Sequence, residues 1–141
     1  KEKGFTEPNP NDDLCGVDVA RKLLIIARLI GLKLNLEDIK VQSLVGISDE
    51  EMLKMVKNAN EKNSVLRYVA TIDTKNNIYQ AKIETILNNS SLASTQGADN
   101  VISITSKYYN VTPLVIKGPG AGATVTAVGI MSDLLRLKDM L

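Results

Sequence analysis

The sequence predicts an α+β fold: a mixed sheet of about four to five strands with helices packed on one face, followed by a C-terminal helix. Three observations carry this. Helical runs stand at the two ends and once between, strand-like runs follow one another directly in the middle, and Asn- or Gly-rich turns separate them. The order is loop–α–β–α–β–β–β–β–α, which lacks the strand–helix alternation of a doubly wound sheet.

Each element has its own signal. Residues 1–13 hold two prolines and four acids, which is loop chemistry. VDVARKLLIIARLIG then reads as a helix from Val17, ended by Gly31. At 100° per residue, Asp18, Arg21, Lys22 and Arg28 fall within about a third of its circumference. The other positions are nearly all Leu, Ile, Val or Ala, so the helix is expected to be mostly buried. A short strand is expected near Ile39–Leu44. Ser48 followed by Asp49, Glu50 and Glu51 is a capping-box start for a surface helix over 48–60. VLRYVATID (65–73) and NIYQAKIETI (77–86) alternate around Lys75-Asn76-Asn77 and read as a hairpin. A polar loop (88–100), strands at 101–109 and 112–118, a glycine-rich turn and a helix over 122–139 complete the chain, the last with Val125, Val128, Leu134 and Leu135 on its apolar side.

Composition narrows the function. The chain has 141 residues, 44% of them hydrophobic, enough for one domain with a core of its own. Lys and Arg number 17 against 16 Asp and Glu, a net charge of +1. Nucleic acid and anionic membrane are therefore not expected partners. No run approaches the ~20 apolar residues of a spanning helix, and no signal-peptide pattern opens the chain. With no His and only Cys15, a histidine-ligated zinc site, a Ser-His-Asp triad, a Cys-His pair and an internal disulfide are excluded, and no metal is expected.

Glu7, Asp12, Asp13, Asp18 and Lys22 concentrate charge at the front. Asp18 and Lys22 are spaced i, i+4 and project from one helix face; Asp13 stands at the helix entrance, where a carboxylate can cap exposed N–H groups. One reading is a capped helix with a solvated ion pair. The other is a proton shuttle or substrate anchor, because Lys22 emerges from an apolar helix beside carboxylates in an expected partly desolvated cleft. GPGAG (118–122), between a strand and a helix, matches neither GxGxxG nor GxxxxGK[ST]. It reads as a tight turn whose bare backbone permits close approach of another chain or a cofactor.

Taken together, GFTEPNPNDDLCGVDVARK (4–22), VLRYVATID, GADN (97–100) and PLVIKGPGAGATVTAVGIMSDLL (113–135) resemble, in order, the blocks of homoserine dehydrogenases, nearest the bifunctional aspartate kinase–homoserine dehydrogenases. The likeness spans essentially the whole chain. It departs from the family pattern at Phe5, Asn9 and Asn11, and the stretch 46–64 is shorter than that of the family.

The resemblance implies an NAD(P)-dependent enzyme, using NADP or NAD, that interconverts L-aspartate-4-semialdehyde and L-homoserine in threonine, methionine and isoleucine biosynthesis. It implies that Lys22 exchanges a proton with the substrate oxygen, that Asp18 binds the substrate hydroxyl and orients Lys22, that Glu7 holds the substrate amino group and that Asp13 is a further substrate-side acid. Gly4 and Gly122 match backbone positions that approach the cofactor. It further implies a substrate-binding and dimerisation domain over 1–117, a turn and helix over 118–141 that return to a dinucleotide-binding domain upstream of Lys1, a homodimer, a possible fused aspartate kinase domain, and a cytoplasmic or, in a plant-type source, plastid location. Without the resemblance, a non-catalytic small-molecule-binding or regulatory α+β domain is the alternative.

Overall fold

The computed structural model describes residues 14–138. Among these residues three helices and five strands follow one another: α1 (Val17–Leu29), β1 (Lys40–Val41), α2 (Asp49–Glu61), β2 (Ser64–Asp73), β3 (Ile78–Leu87), β4 (Asp99–Ile104), β5 (Leu114–Pro119) and α3 (Ala123–Lys138), with short 3-10 turns at Leu36–Asp38 and Ser91–Ser94. The α+β class is as expected. The strands, however, make two sheets rather than one: a three-stranded sheet in the order β1-β3-β2 and a two-stranded sheet of β4 and β5. The chain correspondingly divides into two compact units between Asn88 and Asn89.

In the first unit, β2 and β3 pair antiparallel from Ser64↔Leu87 to Asp73↔Ile78. Their turn is closed by the Asp73 carboxylate, which accepts from the backbone N–H groups of Lys75 and Asn76 and from the Asn76 amide at 2.7 Å. Asn77, at φ 53°, supplies the positive-φ residue of the turn. At the open end Asn88 donates to Asn63 twice, through backbone and side chain, at 3.1 and 2.9 Å.

β1 runs parallel to β3 over only two residues, shorter than the strand expected near Ile39–Leu44. The reason lies in Gln42. Its N–H still donates to the Ala81 carbonyl at 2.8 Å, but its side-chain oxygen, not its backbone, accepts from Ile83 N–H at 2.9 Å. Its own carbonyl accepts from the Tyr68 hydroxyl at 2.7 Å. The side chains thereby take over the ladder.

The core of this unit is Ala20, Leu23, Ala27 and Ile39, flanked by Leu24, Leu32, Leu34, Leu36, Ile72 and Tyr79. Small residues at 20 and 27, one either side of Leu23, let α1 lie close to β2 and β3. The expectation that α1 is mostly buried does not hold: only those three positions are buried, while Leu29 is 80% exposed and Ile25 and Ile30 are also open. A three-stranded sheet covers one stripe of a helix and no more. α2 begins with the expected capping box, Ser48 Oγ accepting from Glu51 N–H at 3.2 Å and the Glu51 carboxylate accepting from Ser48 N–H at 3.1 Å.

In the second unit, β4 and β5 pair antiparallel from Asp99↔Pro119 to Ile104↔Leu114. β4 stops at Ile104 rather than near residue 109, because the Ser106 hydroxyl turns the chain by accepting from the N–H groups of Tyr108 and Tyr109. No residue of α3 is buried. Among the described residues no helix is long and apolar enough to cross a membrane.

Two outcomes follow from this packing. Leu23, 2% exposed at the centre of the core, should cost about 2–5 kcal/mol when truncated to alanine; urea unfolding followed by circular dichroism reads this, and a loss under 1 kcal/mol contradicts the assigned core. The hydrogen bonds from Asn76 hold the Asp73 carboxyl below its ordinary value. A carboxylate depressed in the folded state contributes stability above its unfolded pKa and loses it as pH falls through the folded value, so the hairpin turn should loosen below about pH 4. Amide hydrogen exchange at Lys75 and Asn76 between pH 5 and 2, corrected for intrinsic rates, should lose protection in the wild type and be pH-independent in Asp73→Asn.

Candidate active site

Helix α1 has an unusual start. Its N-cap is Gly16 at φ 77°, with no side-chain cap, and the Gly16 carbonyl accepts the first helical bond from Ala20 N–H at 3.0 Å. The left-handed backbone and the space around it both require glycine. A Cβ at position 16 would collide with the Tyr68 hydroxyl and come within 2.8 Å of Val41 Cγ1. Just before it, the Leu14 carbonyl accepts from Leu44 N–H at 2.8 Å. The front of the helix is therefore clamped between β1 and the side chain of Tyr68. Burial, with a smaller push from Cys15, raises the Tyr68 pKa above its ordinary value, so at neutral pH the hydroxyl is a hydrogen-bond donor.

From this start Asp18 and Lys22 project one turn apart, and Lys22 Nζ lies 2.8 Å from Asp18 Oδ2. The spacing expected from sequence is realised as a direct ion pair. The expected desolvated cleft is not formed by the described residues: the two side chains are 60% and 58% exposed. Of the rest of the polar stripe, Arg28 turns away to donate through Nε and Nη2 to the Leu34 carbonyl at 3.2 and 3.0 Å, bracing the loop after the helix. Gly4, Glu7 and Asp13 lie outside the described residues.

In the second unit, the glycine-rich turn leads from β5 into α3. Gly120 N–H donates to the Ala98 carbonyl at 2.8 Å, and a side chain at 120 would collide with the Asn100 amide. Gly122, at φ 127°, is different: a Cβ there would meet nothing within 4 Å. Its carbonyl accepts from both Thr126 N–H and Thr126 Oγ1 at 3.1 Å, which fixes the first turn of α3. Lys117 does not point a free cation at this turn; its Nζ donates to the Ser94 carbonyl at 2.6 Å and stands 3.6 Å from Asp99. The turn thus offers bare backbone at Gly122.

Sequence reasoning missed Gly16 and Tyr68. The signal was there: a glycine directly ahead of a helical run, where Ser, Thr, Asp or Asn would be the usual cap, marks a place where a side chain cannot fit.

Fold and site together define an α+β domain that presents a paired ammonium and carboxylate at the anchored start of a helix. The family model for homoserine dehydrogenase matches residues 1–135. A chloroplastic bifunctional aspartokinase/homoserine dehydrogenase of Arabidopsis thaliana is 44% identical over 154 residues, covering 97% of this chain and 17% of the relative. The bifunctional enzyme 2 of Escherichia coli K12 is 41% identical, covering 99% of this chain and 19% of its own. Among solved structures, the putative homoserine dehydrogenase of Archaeoglobus fulgidus superposes with a TM-score of 0.80 at 29% identity, covering 96% of this chain and 40% of that one. The homoserine dehydrogenase of S. aureus at pH 7.0 superposes with 0.81 at 25% identity, over 99% and 35%. The chain belongs to the homoserine dehydrogenase family. It spans less than a fifth of the length of these bifunctional relatives, and the match to the Arabidopsis enzyme runs over 154 residues against a chain of 141, so that relative carries extra residues within the matched span.

An exposed i, i+4 pair contributes little to folding. Asp18→Asn should therefore change the unfolding free energy by no more than about 0.5 kcal/mol. A much larger loss on thermal or urea unfolding means that the pair is a structural brace.

Proposed function

We propose that this chain is the substrate-binding segment of an NAD(P)-dependent homoserine dehydrogenase, which interconverts L-homoserine and L-aspartate-4-semialdehyde. The observation that carries the reading is the Asp18–Lys22 pair, 2.8 Å apart at the start of α1, within a motif that runs from Gly4 to Lys22. Lys22 exchanges a proton with the substrate oxygen, acting as base toward the hydroxyl of homoserine and as acid toward the carbonyl of the semialdehyde. Asp18 contacts the substrate hydroxyl and holds the Lys22 side chain in reach of the same oxygen, to which Lys22 gives its proton as the ammonium and from which it takes one as the amine. Glu7 holds the substrate amino group, and Asp13 is a further acid on the substrate side.

The nicotinamide cofactor, NADP or NAD, supplies hydride transfer when bound. The bare backbone of Gly122 and that of Gly4 are the groups of this chain that face it. In the complete enzyme α3 packs on a dinucleotide-binding domain, which accounts for its lack of buried residues. The domain over 1–117 pairs with a second copy, and the bifunctional relatives suggest a fused aspartate kinase. The compartment is the cytoplasm, or the plastid in a plant source, where the products feed threonine, methionine and isoleucine synthesis.

The exposure of Asp18 and Lys22 also suits a second reading, a binding or regulatory domain with no chemistry of its own. One substitution separates the two. In the complete enzyme Lys22→Ala should lower kcat by on the order of 10²–10⁴-fold, as the loss of a general acid–base does. Near-normal kcat across the pH range assigns the pair to the surface instead.

A further inference from the structure

We infer that Tyr68 and Gly16 form a steric and hydrogen-bonded anchor that sets the position of the Asp18–Lys22 pair, making Tyr68 a positioning residue for the proton transfer; this rests on the function proposed above. Tyr68 stands on β2, the strand farthest from β1 in the order β1-β3-β2. Its side chain reaches over β3, passing the Ala81 carbonyl at 3.3 Å, to donate to the Gln42 carbonyl at 2.7 Å. Ala81 itself is fully buried. The hydroxyl ends in the space that a side chain at Gly16 would occupy.

One oxygen therefore does two things. It reaches across β3 to bond Gln42, the residue that follows β1, and it forms the seat for the N-cap of α1. Among the described residues no side chain makes a capping hydrogen bond at that helix end. Asp18 follows the seat by two residues and Lys22 by six, about 3 and 9 Å along the axis at 1.5 Å per residue. A shift at Gly16 therefore passes through one rigid segment to both groups. Because they share the helix, their ion pair survives the shift while their position relative to a bound substrate does not. A misplacement of about 1 Å is enough for losses of order 10²-fold in turnover.

The test uses the complete enzyme and follows homoserine oxidation with NADP, with thermal unfolding measured beside it. Tyr68→Phe should lower kcat by on the order of 10-fold and leave the KM for NADP unchanged. Gly16→Ala should lower kcat further, since the added methyl meets the hydroxyl and the backbone there is left-handed. The distinguishing result is the double variant. Removing the hydroxyl relieves the worst of the collision, so Gly16→Ala/Tyr68→Phe should turn over faster than Gly16→Ala alone, a rescue that two independent losses of stability would not give. Tyr79→Phe, on the neighbouring strand, should behave as the wild type. If Gly16→Ala does not fold, Tyr68→Phe alone decides through its kcat. Normal kcat in Tyr68→Phe, or a double variant no faster than Gly16→Ala, overturns the positioning role provided that Lys22→Ala is inactive. A fully active Lys22→Ala overturns the underlying function, and the positioning role with it.

Discussion

The start of helix α1 rests on a close approach between a phenolic oxygen and a residue with no side chain. Tyr68 occupies the volume that any other residue at position 16 would claim, and its hydrogen bond to Gln42 fixes it there. That bond ties β2 across β3 to the residue after β1, and the Leu44–Leu14 bond ties the segment following β1 to the chain entering the helix. Helix, sheet and entrance segment are thereby locked around one point. The locality of the arrangement matters because the hydrophobic contribution is small: among the described residues the buried core has only two large side chains, Leu23 and Ile39, beside small alanines. A helix held by a thin apolar stripe can rock on its sheet, and a polar pin at one end restrains it.

The same thin core explains the distribution of apolar surface. Ile25 and Leu29 on α1 and Ile30 just after it stay open, and on α3 Val128, Ile130, Met131, Leu134, Leu135 and Leu137 do as well. Apolar surface of that extent is usually covered in an assembled protein. The proposed partners, a second copy and a dinucleotide-binding domain, are the covers this account assigns. Exposure of Asp18 and Lys22 fits within it: a charged pair that is to meet a charged substrate has to remain reachable until the substrate and the remaining walls of the site are present.

Much of the fold was legible in the sequence. Gly31 marks the end of the first helix to within two residues, Ser48 and Glu51 form the capping box they spell, and the hairpin registers around Lys75-Asn76-Asn77 as the alternation of 65–86 requires. Local chemistry decides these elements, so local patterns reveal them. What escaped was long-range. The truncation of β1 depends on Gln42 trading a backbone bond for a side-chain one with Ile83, forty-one residues away. The separation into two sheets depends on which strand edges pair, and periodicity is silent on that. Of the candidate site, the Asp18–Lys22 spacing could be read directly, but its pivot could not: Tyr68 is fifty-two positions beyond Gly16 in the chain.

The central claim is that the front of this chain receives an amino-acid substrate. Titration of the purified chain with L-homoserine, followed by the backbone amide resonances, tests it directly. The account predicts saturable shifts concentrated at residues 4–22, abolished by Lys22→Ala and not reproduced by an amino acid lacking the terminal hydroxyl. Uniform or absent shifts over that segment, with the fold intact, would contradict it.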